Sequence, residues 1–423
     1  MPLSRGTIRI GFGEFVALAA ALMSIQAIAI DSMLPALPTI VRVLHVADEN
    51  NGQWVVTAYV IGMGLGQLFW GLISDRFGRR PVLLGGLALY IAAAVFCGLS
   101  DSFAAFLAWR VAHGVAAASV VVTRSVIRDL FSGRHMARVM SLTFMIFLMV
   151  PILAPSVGQL ILSLAPWRYI FILLGVFAAA VWLWAFLRLP ETLHPEYRLT
   201  LTRSHVVKAA RLVLGNRESL FYTLAMGVMF GSILSYVGMM PQIFADFFRR
   251  ASLMPAIFAL CAASMGVAAY LNSRIVGRFG MRHISHTVLL MFIAVTALHV
   301  LVAAATHEKL WAFVLLQSAT MACFSLTLSN FGAMAMEPVG SVAGIGASLQ
   351  GFISTCGGAI VGAVIGRQFN GTTMPLAAGA LCCGLASLLL VLFAEGGRLF
   401  RSHHLGEDAS IDRGQVAMVR RRM

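Results

Sequence analysis

Asp31 is a carboxylate placed where a charge is expensive. It lies inside an apolar stretch, roughly residues 12–38. Ionisable groups inside apolar segments of membrane length are rare and mark proton or ion pathways. The other acids near such stretches, Glu14 and Glu395, fall at their ends, within reach of water. Burial raises a carboxyl pKa and a neighbouring cation lowers it, so a carboxyl held between the two pulls can load and release a proton as its surroundings change. A plainer role is also open: Asp31 could cap the break expected at Pro35 and Pro38. The counter-charge is Arg110, seven residues beyond Phe103 at the start of its own apolar run. At ~1.5 Å per residue it sits about 10 Å deep. Asp31 and Arg110 are expected to form a switchable pair, released by protonation or by substrate. The alternative is a static arginine bonded to backbone carbonyls.

Those side chains must be held by elements that cross a membrane. Of 423 residues, 59% are hydrophobic and 11% charged, against ~25% charged in soluble domains. Twelve windows are long and apolar enough to span, from about 12–38 through 53–73, 82–100, 103–127 and 139–164 to 373–394. None shows the two-residue alternation of a barrel strand, so the chain reads as an all-α membrane protein with twelve transmembrane helices. The first window is too long for a signal-peptide core and is read as a retained helix. The six cysteines sit in apolar stretches without metal-ligand spacing, so neither a metal site nor a disulfide framework is inferred. No phosphate-binding GxxxxGK[ST] loop exists. No cofactor is expected, and the energy must come from an ion gradient, here protons, or from the solute itself.

The net charge of +14 is a topology signal and not a nucleic-acid surface. Twenty-three of the 31 basic residues fall on the side of the termini and six on the other. The positive-inside rule therefore puts both termini in the cytoplasm. The longest internal loop divides the chain into a first six-helix bundle (1–188), an inter-half loop (189–218), a second six-helix bundle (219–395) and a basic tail (396–423). The pattern Arg-Phe-Gly-x-Arg occurs at Arg76–Arg80 and again at Arg278–Arg282, each time after the second span of its half. The halves read as a parallel, pseudo-symmetric duplication. In span four Arg110, Arg124 and Arg128 fall on one face of a continuous helix. Arg124 and Arg128 are read as anchors paired with Asp129 or lipid phosphate. His299 is read as a satisfied core histidine. Pro151, Pro155 and Gly158 in span five bend the helix or allow close packing.

Gly71-Leu72-Ile73-Ser74-Asp75-Arg76-Phe77-Gly78-Arg79-Arg80-Pro81 resembles the loop signature of the major facilitator superfamily. Asp31-Ser32-Met33-Leu34-Pro35-Ala36-Leu37-Pro38, Arg110–Gly114 with Arg124–Asp129, and Ala154–Gly158 with Trp167-Arg168 are similar to segments of its twelve-span drug:proton antiporters, in particular the Bcr/CflA-like multidrug efflux branch. Gly344–Ser348 and Asn370–Pro375 resemble its span-eleven region. Met33 stands where tyrosine is usual, His113 where glutamine is common, and Gln159 where the antiporter motif has a second glycine. The resemblance implies that Gly71, Asp75, Arg76, Gly78, Arg79 and Arg80 latch the halves in one state, with Asp75 facing a helix N-terminus or an arginine. It implies one cavity for Asp31 and Arg110. Tyr59, His113, Tyr236, Met239, Met240 and Gln350 are candidate lining residues, adaptable side chains suited to loosely specified ligands.

The expected function is secondary active export of small amphipathic, drug-like compounds by proton antiport, with the two halves rocking about a central site. A proton symporter or facilitator for a small metabolite is the alternative. A membrane-embedded enzyme would need a cluster of His, Asp or Glu that the sequence lacks. The partners expected are a small-molecule substrate, protons and the lipid bilayer, with no nucleic acid. A monomer in the cell membrane is expected, in the inner membrane if the cell is Gram-negative.

Overall fold

The computed structural model describes residues 10–131, 133–193, 196, 203–305 and 308–400. Arg5, Arg9, Arg198 and the tail from Arg401 to Met423 lie outside the described residues. The described residues form helices joined by short turns, with no strand among them. Span one is broken: α1 (Phe12–Asp31) ends at Asp31, a 3-10 turn (Leu34–Ala36) follows, and α2 (Leu37–Val43) completes the segment. Pro35 and Pro38 sit in the first turns of those two pieces, where a missing N–H costs least. A 3-10 turn (Glu49–Gly52) leads into α3 (Gln53–Phe77), then α4 (Arg79–Leu99) and α5 (Phe103–Ala117). After the 3-10 segment Ala118–Val121 come α6 (Val122–Leu130), α7 (Gly133–Leu164) and α8 (Arg168–Arg188). The second half holds α10 (Arg217–Gln242), α11 (Met254–Phe279), α12 (Met281–Ala304), α13 (Leu310–Met336), α14 (Ala343–Gly366) and α15 (Met374–Ala394).

Among the described residues eleven helical segments are long and apolar enough to cross a membrane. The twelfth expected window, 139–164, falls in α7, whose apolar stretch is Met149–Leu164. The inter-half loop contains a helix that loop length alone did not reveal, α9 (Arg203–Gly215). Ala209 and Val213, four residues apart, bury one face of it, while Lys208 and Leu212 stay exposed.

Two expectations about span four change. A 3-10 segment, Ala118–Val121, interrupts the helix between Arg110 and the later arginines, so the three do not lie on one continuous helix. Arg110 is buried, whereas Arg124 and Arg128 are exposed. Asp129 pairs with Arg79 at 3.1 Å and not with either of them. Glu395, placed near water from its position in the sequence, is buried between Tyr222 and Arg282.

The repeated loop motif makes the same turn twice. Gly78 has φ +107° and Gly280 has φ +78°, with nearly equal ψ, and each separates the second and third spans of its half. A side chain is disfavoured in that conformation.

Glycines also bring spans two and four together. A Cβ on Gly62 would strike the Val111 carbonyl, and one on Gly114 the Tyr59 carbonyl. Gly114→Val is therefore expected to cost ~1–3 kcal/mol or more through overpacking. Gly71→Ala, whose new methyl would meet nothing closer than the Ser348 hydroxyl at 3.5 Å, should be tolerated. Thermal unfolding of the two purified variants checks the contrast.

Candidate functional site

Arg110 is fully buried on α5 and ties three spans together. Its Nε donates to the Val55 carbonyl of α3 at 3.2 Å, and Nη2 to the Ala29 carbonyl of α1 at 3.4 Å. Nη1 lies 3.2 Å from Nδ1 of His113, one turn along its own helix. A guanidinium only donates, so His113 accepts at Nδ1 and its proton lies on Nε2. That Nε2 is buried and has no hydrogen-bond partner among the described residues. The Arg110 Cζ stands 4.3 Å from the centroid of the Tyr59 ring, a cation–π contact worth ~2 kcal/mol when desolvated. The chamber is closed by rings: His113 packs on Tyr90 at 4.1 Å and on Tyr59 at 5.4 Å, and Phe171 completes the wall.

Asp31 lies two residues beyond the Ala29 carbonyl held by Arg110, and only 7% of it is exposed. The expected pair is not formed: among the described residues no ion pair or hydrogen bond reaches the Asp31 carboxyl. The guanidinium is engaged instead by backbone carbonyls, as the static alternative has it. The capping role is not taken up either, because neither piece of span one after Asp31 carries a side-chain cap. Asp31 is close enough for its charge to act at the hydroxyls of Tyr59 in the first half and Tyr236 in the second. Gly158 of α7 fixes the break beside it, since a Cβ there would strike the Ser32 carbonyl. Pro151 and Pro155 precede that contact within an uninterrupted α7.

The structure sorts the remaining candidates. Tyr59 and His113 join Arg110. Tyr236 stacks on Phe258 at 5.6 Å, and its buried hydroxyl has no hydrogen-bond partner of good geometry, although Cys261 lies beside it. Met239 and Met240 are buried in the same apolar cluster as Tyr236 and Phe244. Gln350 is not part of this chamber: it donates to the Gly332 carbonyl at 3.3 Å and binds α14 to α13. Met33, at the position of the usual tyrosine, is fully buried. His299 lies 3.0 Å from the buried Glu308 carboxylate. Tyr90 and Gln26 were missed by the sequence reading. Tyr90 donates to the Ile25 carbonyl at 3.5 Å, and Gln26 reaches the Ala117 carbonyl at 3.2 Å. Each is an isolated hydrogen-bonding side chain in an apolar span, which was the available signal.

The latch residues bind within the first half and to the start of the inter-half loop. Arg79 contacts Asp75, Ser74 and Asp129. The Glu191 carboxylate accepts from the backbone N–H groups of Arg79 and Arg80 at 2.9 and 3.2 Å, and Gly78 leaves room for it. Arg80 also donates to the Phe186 carbonyl at 2.6 Å, and Arg76 lies over the Phe77 ring. Asp75 faces an arginine, as one form of the expectation had it, and Gly71 approaches Ser348 of the second half.

The halves are instead pinned at the end away from the termini. Asn50 donates to the carbonyls of Arg367 and Phe369 at 3.2 and 3.0 Å and accepts from Gln242 at 2.9 Å. Gln53 adds a 3.4 Å contact to Gln242. Among the described residues the bond between the halves nearest the termini is Gln67 to Thr355, at 3.5 Å. The halves are therefore hydrogen-bonded to each other at the far end.

The sequence profile of the Major Facilitator Superfamily matches residues 16–363. The chain belongs to that superfamily. It is a multi-pass membrane transporter and not an enzyme. It is 32% identical over 357 residues to the "Uncharacterized MFS-type transporter YdgK" of Bacillus subtilis, covering 82% of this chain and 87% of the relative. It is 28% identical to the "Bicyclomycin resistance protein homolog" of Haemophilus influenzae (88% and 93% covered) and 29% identical to the "Multidrug resistance protein MdtL" of Escherichia coli (92% and 98%). Its fold matches the E. coli xylose transporter XylE in a partially occluded inward open conformation, with TM-score 0.69 at 14% identity, over 92% of this chain and 98% of that one. In this transporter the Tyr59 ring does more than its hydroxyl, whose bond to the Gln26 carbonyl is long at 3.3 Å. Tyr59→Leu should destabilise the protein by ~1–2 kcal/mol more than Tyr59→Phe, read as the difference in unfolding midpoints.

Proposed function

We propose that this transporter exports small amphipathic, drug-like compounds in exchange for protons, with Asp31 as the proton carrier. The observation that carries the reading is the Asp31 carboxyl: buried, without a counter-charge, at a break in span one, and within range of tyrosines from both halves. Adding or removing one proton there changes the electrostatics of the chamber more than any rearrangement of neutral groups could. Arg110, bonded to the Ala29 carbonyl two residues before Asp31, serves as the fixed positive centre of the first half. Substrate entering the chamber displaces the proton, and reprotonation from the other side resets the cycle. The names of relatives linked to bicyclomycin and multidrug resistance support a drug-like substrate class.

Residues 1–188 and 219–395 act as two six-helix bundles that rock about this site, with residues 189–218 joining them and residues 396–423 forming the tail. The excess of basic residues on the termini side supports a cytoplasmic position for both termini. With that orientation the seam pinned by Asn50 is the outer gate, and the state described is closed to the outside. The Asp75–Arg80 loop latches the halves only in the opposite state.

In proteoliposomes, substrate added on the chamber side should release protons from the wild-type protein, and Asp31→Asn should abolish both this release and proton-driven uphill transport. Undiminished proton-driven transport by Asp31→Asn would remove the proposal, and proton uptake with substrate would mark a symporter. Asn50→Ala removes three bonds across the outer seam. It should raise the population open to the outside, read as a longer spin-label distance between positions 46 and 250.

A further inference from the structure

A cavity of about 180 Å³ lies between the halves at the pinned end of the bundle. One wall is α2 with the turn Glu49–Gly52; the other is the end of α10 with the π-helical turn Ile243–Phe247. Three charged side chains line it: Arg42 and Glu49 from the first half and Asp246 from the second. None of the three forms an ion pair within 4 Å among the described residues. Glu49 and Asp246 are near enough that the charge of one acts on the other. Two carboxylates against one guanidinium leave the lining net negative. Gln53, only 4% exposed, adds an amide whose oxygen rests against Gly238 and accepts no hydrogen bond among the described residues. Pro38 and Pro241 supply apolar surface. A cavity of about 150 Å³ holds benzene, so this volume suits a compact molecule of about ten heavy atoms.

We propose that this cavity is a second ligand site, separate from Asp31, for a small monovalent organic cation with a compact apolar body. An amidinium or ammonium group takes the place of the missing counter-charge between Glu49 and Asp246, and the body lies against Pro38 and Pro241. Because each half supplies one wall, the ligand binds the arrangement with the seam closed and not one with the seam opened. A bound cation therefore holds this end of the transporter shut, by its differential affinity for the two states.

The test uses benzamidinium, with neutral benzamide as its near-isostere, titrated by calorimetry into the purified full-length protein. Benzamidinium should bind and benzamide should bind at least about tenfold more weakly. Glu49→Gln and Asp246→Asn should each weaken benzamidinium about tenfold. Ala245→Trp, which fills the cavity without altering charge, should remove binding. Asp31→Asn should leave it unchanged, so a failed export reading does not touch this one. The proposal is overturned if the wild type does not bind, if benzamide binds equally well, if binding survives Ala245→Trp, or if Asp31→Asn removes it and so moves the cation to the central chamber.

Discussion

A full positive charge, Arg110, sits in the interior of the first half with no carboxylate against it. Burying such a charge is costly unless other groups replace water around it. Here two carbonyls, one imidazole nitrogen and the face of a tyrosine do so. These acceptors come from α1 (Ala29), α3 (Val55 and Tyr59) and α5 (His113), so spans one, two and four must come close. That requirement accounts for Gly62 and Gly114, where backbone from one span occupies the place of a side chain on the other. It also fixes His113 as an acceptor toward Arg110. The consequence for mechanism is indirect: an arginine satisfied by backbone leaves Asp31 free of it.

The two ends of the bundle contrast with that centre. The end near the termini is held within each half, by Arg79 with Asp75 and Asp129 in the first and by Arg282 with Glu218, Glu337 and Glu395 in the second. The far end is held between halves by Asn50, Gln53 and Gln242. Networks inside each half keep the bundles rigid, and a few neutral hydrogen bonds across the seam, each worth ~1 kcal/mol, keep one end closed. Bonds of that strength can be exchanged for solvent when the halves rock.

Much of this was legible in the sequence because hydrocarbon leaves the chain few choices. Windows of apolar residues gave the spans, and the repeated Arg-Phe-Gly-x-Arg gave two turns that share a positive φ at Gly78 and Gly280. Asp31, Arg110, Tyr59 and His113 were visible as polar groups out of place. What was not legible depended on local geometry. A four-residue 3-10 turn, Ala118–Val121, interrupts span four between the buried Arg110 and the exposed Arg124 and Arg128. Choice of partner was equally hidden: the pairing of Asp129 with Arg79, the satisfaction of Arg110 by carbonyls, and the role of Gln350 between α13 and α14 all turn on contacts between spans far apart in sequence. The seam residues Asn50 and Gln242 carry no charge and no motif, so nothing in the sequence set them apart.

The central claim is that Asp31, and not Arg110, is the group that changes state when substrate enters. Infrared difference spectroscopy on substrate binding tests it most directly, through the C=O stretch of a protonated carboxyl. The account predicts that substrate removes one such band in the wild-type protein and that the change is missing in Asp31→Asn. A wild-type spectrum without that loss, or the same loss in Asp31→Asn, would contradict it.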